Sequence, residues 1–158
     1  MLKSAPYHAD IAGHPDGICH WLLTVDGVRV RVGHWPVANA KGTVLIFPGR
    51  TEYVEKHGRT ALDFGKRGYA CAAIDWRGQG LADRLLENHA VGHVDSFEDY
   101  QLDVKAMLAH VKSLGLPEPY HMLGHSMSGC IGLRALYEGL PVKSAVFSAP
   151  MWGIKMSA

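Results

Sequence analysis

At 158 residues the chain is long enough for one domain with a sizeable core, and its 47% apolar and 20% charged content excludes a disordered or collagen-like chain. Sixteen basic against fifteen acidic residues create no field that favours nucleic acid or an anionic membrane. Three cysteines without C-x-x-C spacing, no apolar signal segment at the start and no run near the roughly 20 apolar residues of a membrane span point to a reduced, cytoplasmic protein; a peripheral membrane contact stays open.

Residues 1–18, rich in Pro, Gly, His and Asp, read as an irregular leader. Two alternating runs, Leu22–Val25 and Val28–Val32, flank Asp26-Gly27, a strong hairpin signal. Val28, Val30 and Val32 are expected to face a core, with Arg29 and Arg31 in water. The continuous apolar run Thr43–Phe47 reads as a strand covered on both faces. A helix from about Tyr53 to Arg67 follows, with Gly68 as its left-handed stop. Tyr69–Ile74 is a second buried strand. Ser96-x-x-Asp99 resembles a capping box, and apolar residues from Phe97 to Leu114 recur at helical spacing until Gly115 and Pro117. Tyr120–Leu123 reads as a third buried strand, Met127–Glu138 as the next helix and Ala145–Ser148 as a fourth buried strand. Alternation of apolar strands and helices predicts a parallel sheet with helices on both faces.

The chemistry concentrates in Gly124-His125-Ser126-Met127-Ser128-Gly129. A serine in a Gly-x-Ser-x turn between strand and helix is the setting of a nucleophile elbow, where small flanking residues let the turn lift the hydroxyl above the sheet. Gly124 meets that need; Ser128 departs from it, with Gly129 one place later. Phe47–Tyr53 follows the first buried strand and should meet the elbow at the same edge, since ligands of open α/β sheets sit beyond the carboxyl ends of the strands. Alone, Pro48-Gly49 is an ordinary strand-end turn; paired with the elbow it reads as functional. Acyl transfer needs donors for its oxyanion, and the expected ones are the backbone N–H groups of Met127 and Arg50. Gly49, Thr51 and His125 are the expected substrate contacts. His125 should point away from the serine in so tight a turn and is not assigned as the base.

Asp75-Trp76-Arg77-Gly78-Gln79-Gly80 reads as scaffold of the site floor, with Asp75 and Arg77 able to hydrogen-bond across the turn. The ten histidines show no metal-ligand spacing beyond His89/His93 and read as scattered surface or capping residues. Cys130 reads as a small buried hydrophobe.

Phe47–Tyr53, Asp75–Gly80, Gly92-His93-Val94-Asp95, Gly124–Gly129 and Ser148-Ala149-Pro150-Met151, in that order, resemble the lysophospholipase/monoacylglycerol-lipase branch of the α/β-hydrolases. Within it the likeness is to bacterial lysophospholipase L2-type proteins of the serine-aminopeptidase-like group. The motifs span roughly residues 20 to 155. The resemblance implies an α/β-hydrolase fold and hydrolysis of a carboxylic ester, typically of a glycerol-linked acyl chain, through an acyl-serine on Ser126. It implies no metal or organic cofactor.

In these hydrolases the triad runs Ser, then Asp or Glu, then His. Here the sequence reaches only Ala158, so residues 1–158 are expected to form one incomplete domain, the N-terminal part of the fold, without the acid and histidine. The apolar segment Met151–Met156 would continue naturally into a lid. Three readings follow: a truncated serine ester hydrolase, a non-catalytic hydrolase-like binding module, or one half of a split enzyme. The exposed edge of such a half-sheet predicts self-association.

Overall fold

Five consecutive buried residues, Thr43–Phe47, make β4 an interior strand of the sheet. The computed structural model describes residues 3–153, so the expected lid continuation over 154–156 lies outside the described residues. β1 (Lys3–Ala5), β2 (Ile18–Leu23) and β3 (Arg29–Trp35) form an antiparallel flank. β4, β5 (Ala70–Asp75), β6 (Tyr120–His125) and β7 (Ser144–Ser148) run parallel, and the sheet order is β1-β2-β3-β5-β4-β6-β7. The chain leaves β4 toward β5 on one side and returns to β6 on the other. That reversal opens a crevice at the carboxyl ends of β4 and β6, where α/β sheets bind ligands.

Alternate residues of the central strands feed two cores. Leu45, Phe47, Ala72 and Ile74 pack with Met107 and Val111 of α3 (Tyr100–Ser113) and Ile131 of α4 (Ser128–Tyr137). Val44, Ile46, Cys71 and Ala73 pack on the other face with Ala61 of α2 (Gly58–Gly65) and with Val54, in the 3-10 turn Val54–His57 that leads into α2. Gly68 has φ 84° and ends the α2 segment as expected. Ser96 and Asp99 form the capping box at the turn before α3.

Several expectations fail for identifiable reasons. The leader contains β1 and the four-residue α1 (Ala9–Ala12), which docks so closely on α2 that a Cβ at Gly58 would lie 2.1 Å from the Ala12 carbonyl oxygen. Arg31 is 1% exposed rather than wet. Its guanidinium donates to both carboxylate oxygens of Glu55, at 2.8 and 2.7 Å, and to Asp75 at 2.8 Å, so β3 is buried on both faces with the charge of Arg31 neutralised. Asp75 and Arg77 do not pair with each other: Asp75 also accepts from the Val54 and Leu81 N–H groups, while Arg77 donates to Asp103 and Asp26. β7 is not a buried strand. It lies at the edge of the sheet, with Val146 59% exposed.

The histidines are not merely scattered. His20, His34 and His110 converge between the β2–β3 flank and α3. Burial drives the His34 and His110 imidazoles down to about 4, with the neighbouring histidines adding to the shift.

Candidate active site

The elbow is built around backbone that few residues other than glycine adopt. Ser126 has φ 51° between the end of β6 and the start of α4. Its N–H donates to the Ser148 carbonyl at 3.1 Å, and its carbonyl accepts from Gly129 and Met151, each at 2.8 Å. The turn is thereby fastened to the segment after β7, which also explains the displaced glycine. A Cβ at Gly129 would lie 2.6 Å from the Met151 carbonyl oxygen, so this close approach needs a residue without one. Cys130 donates its thiol to the same carbonyl at 3.0 Å, and is half-buried rather than fully enclosed.

The loop after β4 meets this turn as expected. A Cβ on Gly49 would fall 3.0 Å from Ser126 Cβ and 3.2 Å from His125 Cδ2, so Gly49, His125 and Ser126 share one contact point. Two buried donors hold the loop by its Pro48 carbonyl: the Trp76 indole at 2.9 Å and the Ser128 hydroxyl. Ser128 thus does what glycine could not at that position, tying the first residue of α4 to the facing loop. Met127 is buried beside the serine, and Arg50 is exposed at the loop's tip. Neither backbone N–H has an acceptor among the described residues.

Glu52 anchors the loop from below. Its buried carboxylate accepts from the Gly49 N–H at 2.6 Å and from Lys56 Nζ at 2.7 Å, with His57 Nε2 at 3.3 Å and His125 Nε2 at 3.6 Å. Burial alone would raise this carboxyl, but the hydrogen bonds from Lys56 and Gly49 and the fields of His57 and His125 bring it below its ordinary value. His125 also turns Nδ1 to the Ser148 carbonyl at 3.1 Å, so its ring nitrogens face β7 and Glu52. Thr51 sits at φ 61°, an outlier for a β-branched residue, with its N–H bonded to the Gln79 side chain and its hydroxyl donating to the Arg50 carbonyl at 2.7 Å.

Sequence reasoning placed Ser126, Met127, Gly49, Arg50 and His125 at one sheet edge, and the structure brings them together there. It missed Glu52 and Ser128 as residues that fix the loop, and had Trp76 only as part of the floor scaffold. The one signal for Glu52 was an acid three residues past a Pro-Gly turn. The apolar hollow lined by Val44, Phe64, Tyr69, Leu123 and Val146 lies on the open face of β6 and β7 and belongs to the sheet edge rather than to this site. None of the described helices is long and apolar enough to cross a membrane.

The chain is similar to several known proteins. Lysophospholipase L2 of Escherichia coli (strain K12) is 35% identical over 131 residues, covering 82% of this chain and 38% of that protein. The probable lysophospholipase L2 of Haemophilus influenzae is 31% identical over 121 residues, covering 75% and 38%. The chain therefore spans well under half the length of these curated relatives. Among solved structures, a soluble variant of monoglyceride lipase from Saccharomyces cerevisiae, in complex with a substrate analog, superposes with a TM-score of 0.65 at 28% identity, over 82% of this chain and 44% of that one. DcsB in complex with its substrate analogue reaches a TM-score of 0.76 at 20% identity, over 90% and 48%, and shows the shared fold. The family model for serine aminopeptidase, S33, matches residues 38–158. From the strand that carries the loop to the elbow and beyond, the chain belongs to the serine aminopeptidase S33 family, a hydrolase family of the α/β-hydrolase fold.

Proposed function

We propose that this chain carries the nucleophile and oxyanion half of a serine carboxylic-ester hydrolase, acting on lysophospholipid-like acyl glycerol esters through an acyl-serine. The observation that carries the reading is the contact of the Gly49–Arg50 loop with Ser126 at the crest of a strained turn. Ser126 Oγ adds to the ester carbonyl carbon while its proton passes to a base. The carbonyl electron pair moves to oxygen, where the Met127 and Arg50 N–H groups receive it. Collapse expels the glycerol-side oxygen with the proton, and water then releases the fatty acid from the serine by the same steps.

Without a base a serine hydroxyl is a poor nucleophile near neutral pH. His125 faces Ser148 and Glu52, so the base and its acid come from outside the described residues, either on further chain such as the longer relatives have or on a second chain. The lysophospholipase likeness supports the substrate class. So does a cleft lined by Arg50, Thr51, Tyr53, Gln79, Arg84 and His89, where the exposed Arg50 suits an anionic headgroup while Arg84 donates to the Gly78 and Gly80 carbonyls. Substrate at a membrane surface would be reached by peripheral contact from the cytoplasm.

Fatty-acid release from lysophosphatidylcholine, set against cleavage of an aminoacyl anilide, tests the reading. Slow ester cleavage that exceeds amide cleavage and disappears in Ser126→Ala is expected. Cleavage unchanged in Ser126→Ala, or an amide preference, contradicts it. A folded chain with no serine-dependent turnover would instead be a hydrolase-like binding module.

A further inference from the structure

Three histidines from three elements meet on the sheet face beneath α3, away from the chemistry above. The β2–β3 register pairs His20 with Val32 and Ile18 with His34, so His20 and His34 are diagonal neighbours on one face. Their rings stack with centres 5.5 Å apart and 12° between planes. His110, near the end of α3, stands edge-on to both, with ring centres at 5.0 and 6.3 Å. One nitrogen of each ring can be chosen so that all three lie within 4.8 Å of one another.

Four of the six ring nitrogens have no other partner among the described residues. His34 and His110 are 5% and 4% exposed, and His20 is half-buried. Nδ1 of His20, Nδ1 of His34 and both ring nitrogens of His110 are buried without a hydrogen-bond partner among the described residues. A buried polar atom is ordinarily satisfied, and each exception needs an explanation. Four such atoms on three rings that touch one another are more than the packing of imidazole rings accounts for.

We propose that His20, His34 and His110 form a binding site for a divalent transition-metal ion of the zinc type, with a fourth position left to water. Three imidazoles are a donor set suited to zinc, copper and nickel and unsuited to calcium or magnesium. Metal–nitrogen bonds of about 2.0–2.1 Å place tetrahedral ligand atoms roughly 3.4 Å apart, so modest ring rotation closes the present separation. His20, the least buried of the three, is the ring freest to make that movement. A surface groove lined by Lys3, Trp21, Leu22, Ala106 and Ser113 lies against His110, on the side of the cluster nearest solvent. α3 runs back from the Ser126 edge of the sheet, so its last turn, with His110, lies toward the opposite edge. The ion clips the β2–β3 hairpin to α3 and takes no part in ester chemistry.

The test uses tag-free protein stripped with a chelator. Zn²⁺ is titrated by calorimetry, and Co²⁺ is added as a visible-absorption probe. One equivalent of Zn²⁺ should bind saturably and raise the thermal midpoint with concentration, and Co²⁺ should give a four-coordinate absorption band that Zn²⁺ displaces. His110→Ala and the milder His20→Gln should each weaken binding at least about tenfold, with folding checked by circular dichroism. His8→Ala, outside the cluster, should leave binding unchanged. Absence of saturable binding by the folded wild-type chain, or one-to-one binding that survives both substitutions, overturns the proposal. Either result leaves the reading of Ser126 untouched.

Discussion

Ser126 holds a left-handed backbone that costs a non-glycine residue about 1–3 kcal/mol and persists only where its surroundings over-determine it. Three backbone hydrogen bonds supply that determination, and Gly49 supplies the clearance. Gly49→Ala would put a methyl group 3.0 Å from Ser126 Cβ and 3.3 Å from Glu52 Oε2, and neither neighbour is free to retreat. Loop displacement, rather than unfolding, is the expected result. Acylation of Ser126 by an activated ester should slow by roughly 10–100-fold, in keeping with the sensitivity of reactions to misplaced groups, while the thermal midpoint moves little; stopped-flow acylation and melting curves on the same sample check both. At this scale the sequence was most legible where chemistry demands a residue type, as at Ser126 and Gly49. It was mute where a role depends on a distant partner. Ser128 earns its place through a carbonyl 80 residues earlier and Trp76 through one 28 residues earlier, and no local pattern announces either.

The elements show the same division. β4 and β5 were readable because both faces of each strand are buried, so apolar content alone marks them. β7 carries a similar apolar run but sits at an edge, and β1 and α1 are too short to show a period. β3 does not alternate between core and water as expected: Val30–Trp35 are all buried, and Arg31 lies inside because Glu55 and Asp75, 24 and 44 residues away, meet it. The β2–β3 hairpin is held to the turn after β5 in a similar way. Asp26, in the hairpin turn, accepts from Arg77 at 2.7 Å, and that hydrogen bond, helped by another from Thr24, brings its carboxyl down to about 2. A carboxyl lowered on folding stabilises above its unfolded value near 3.8 and loses that contribution as pH falls through about 2. Asp26→Asn should therefore lower the urea midpoint at pH 7, and its difference from wild type should shrink toward zero as the pH approaches about 2. A difference that stays constant with pH would show that the ion pair contributes nothing to the hairpin's attachment. The partial exposure of Asp26 keeps the expected effect small.

Across the whole molecule, one sheet carries a site at one edge of its strands and leaves β7 open along its side. The outer backbone of β7 has no partner strand among the described residues, and Val146 and Trp152 are 59% and 57% exposed beside it. An unpaired strand with apolar neighbours is a template for a second copy. Sedimentation velocity should show concentration-dependent association of the 158-residue chain, reduced by Val146→Lys; a strictly monomeric profile at all concentrations would count against it. Every step of the proposed chemistry depends on Ser126 being the residue that the strained turn and the facing loop present. Intact-mass analysis after exposure to a fluorophosphonate, on wild type and Ser126→Ala, tests this most directly. One adduct is expected, slow to form because no described side chain takes the hydroxyl proton, mapping to the peptide that contains Ser126 and lost in the variant. An adduct that persists in Ser126→Ala, or a folded wild-type chain that stays unlabelled after prolonged exposure, would contradict this.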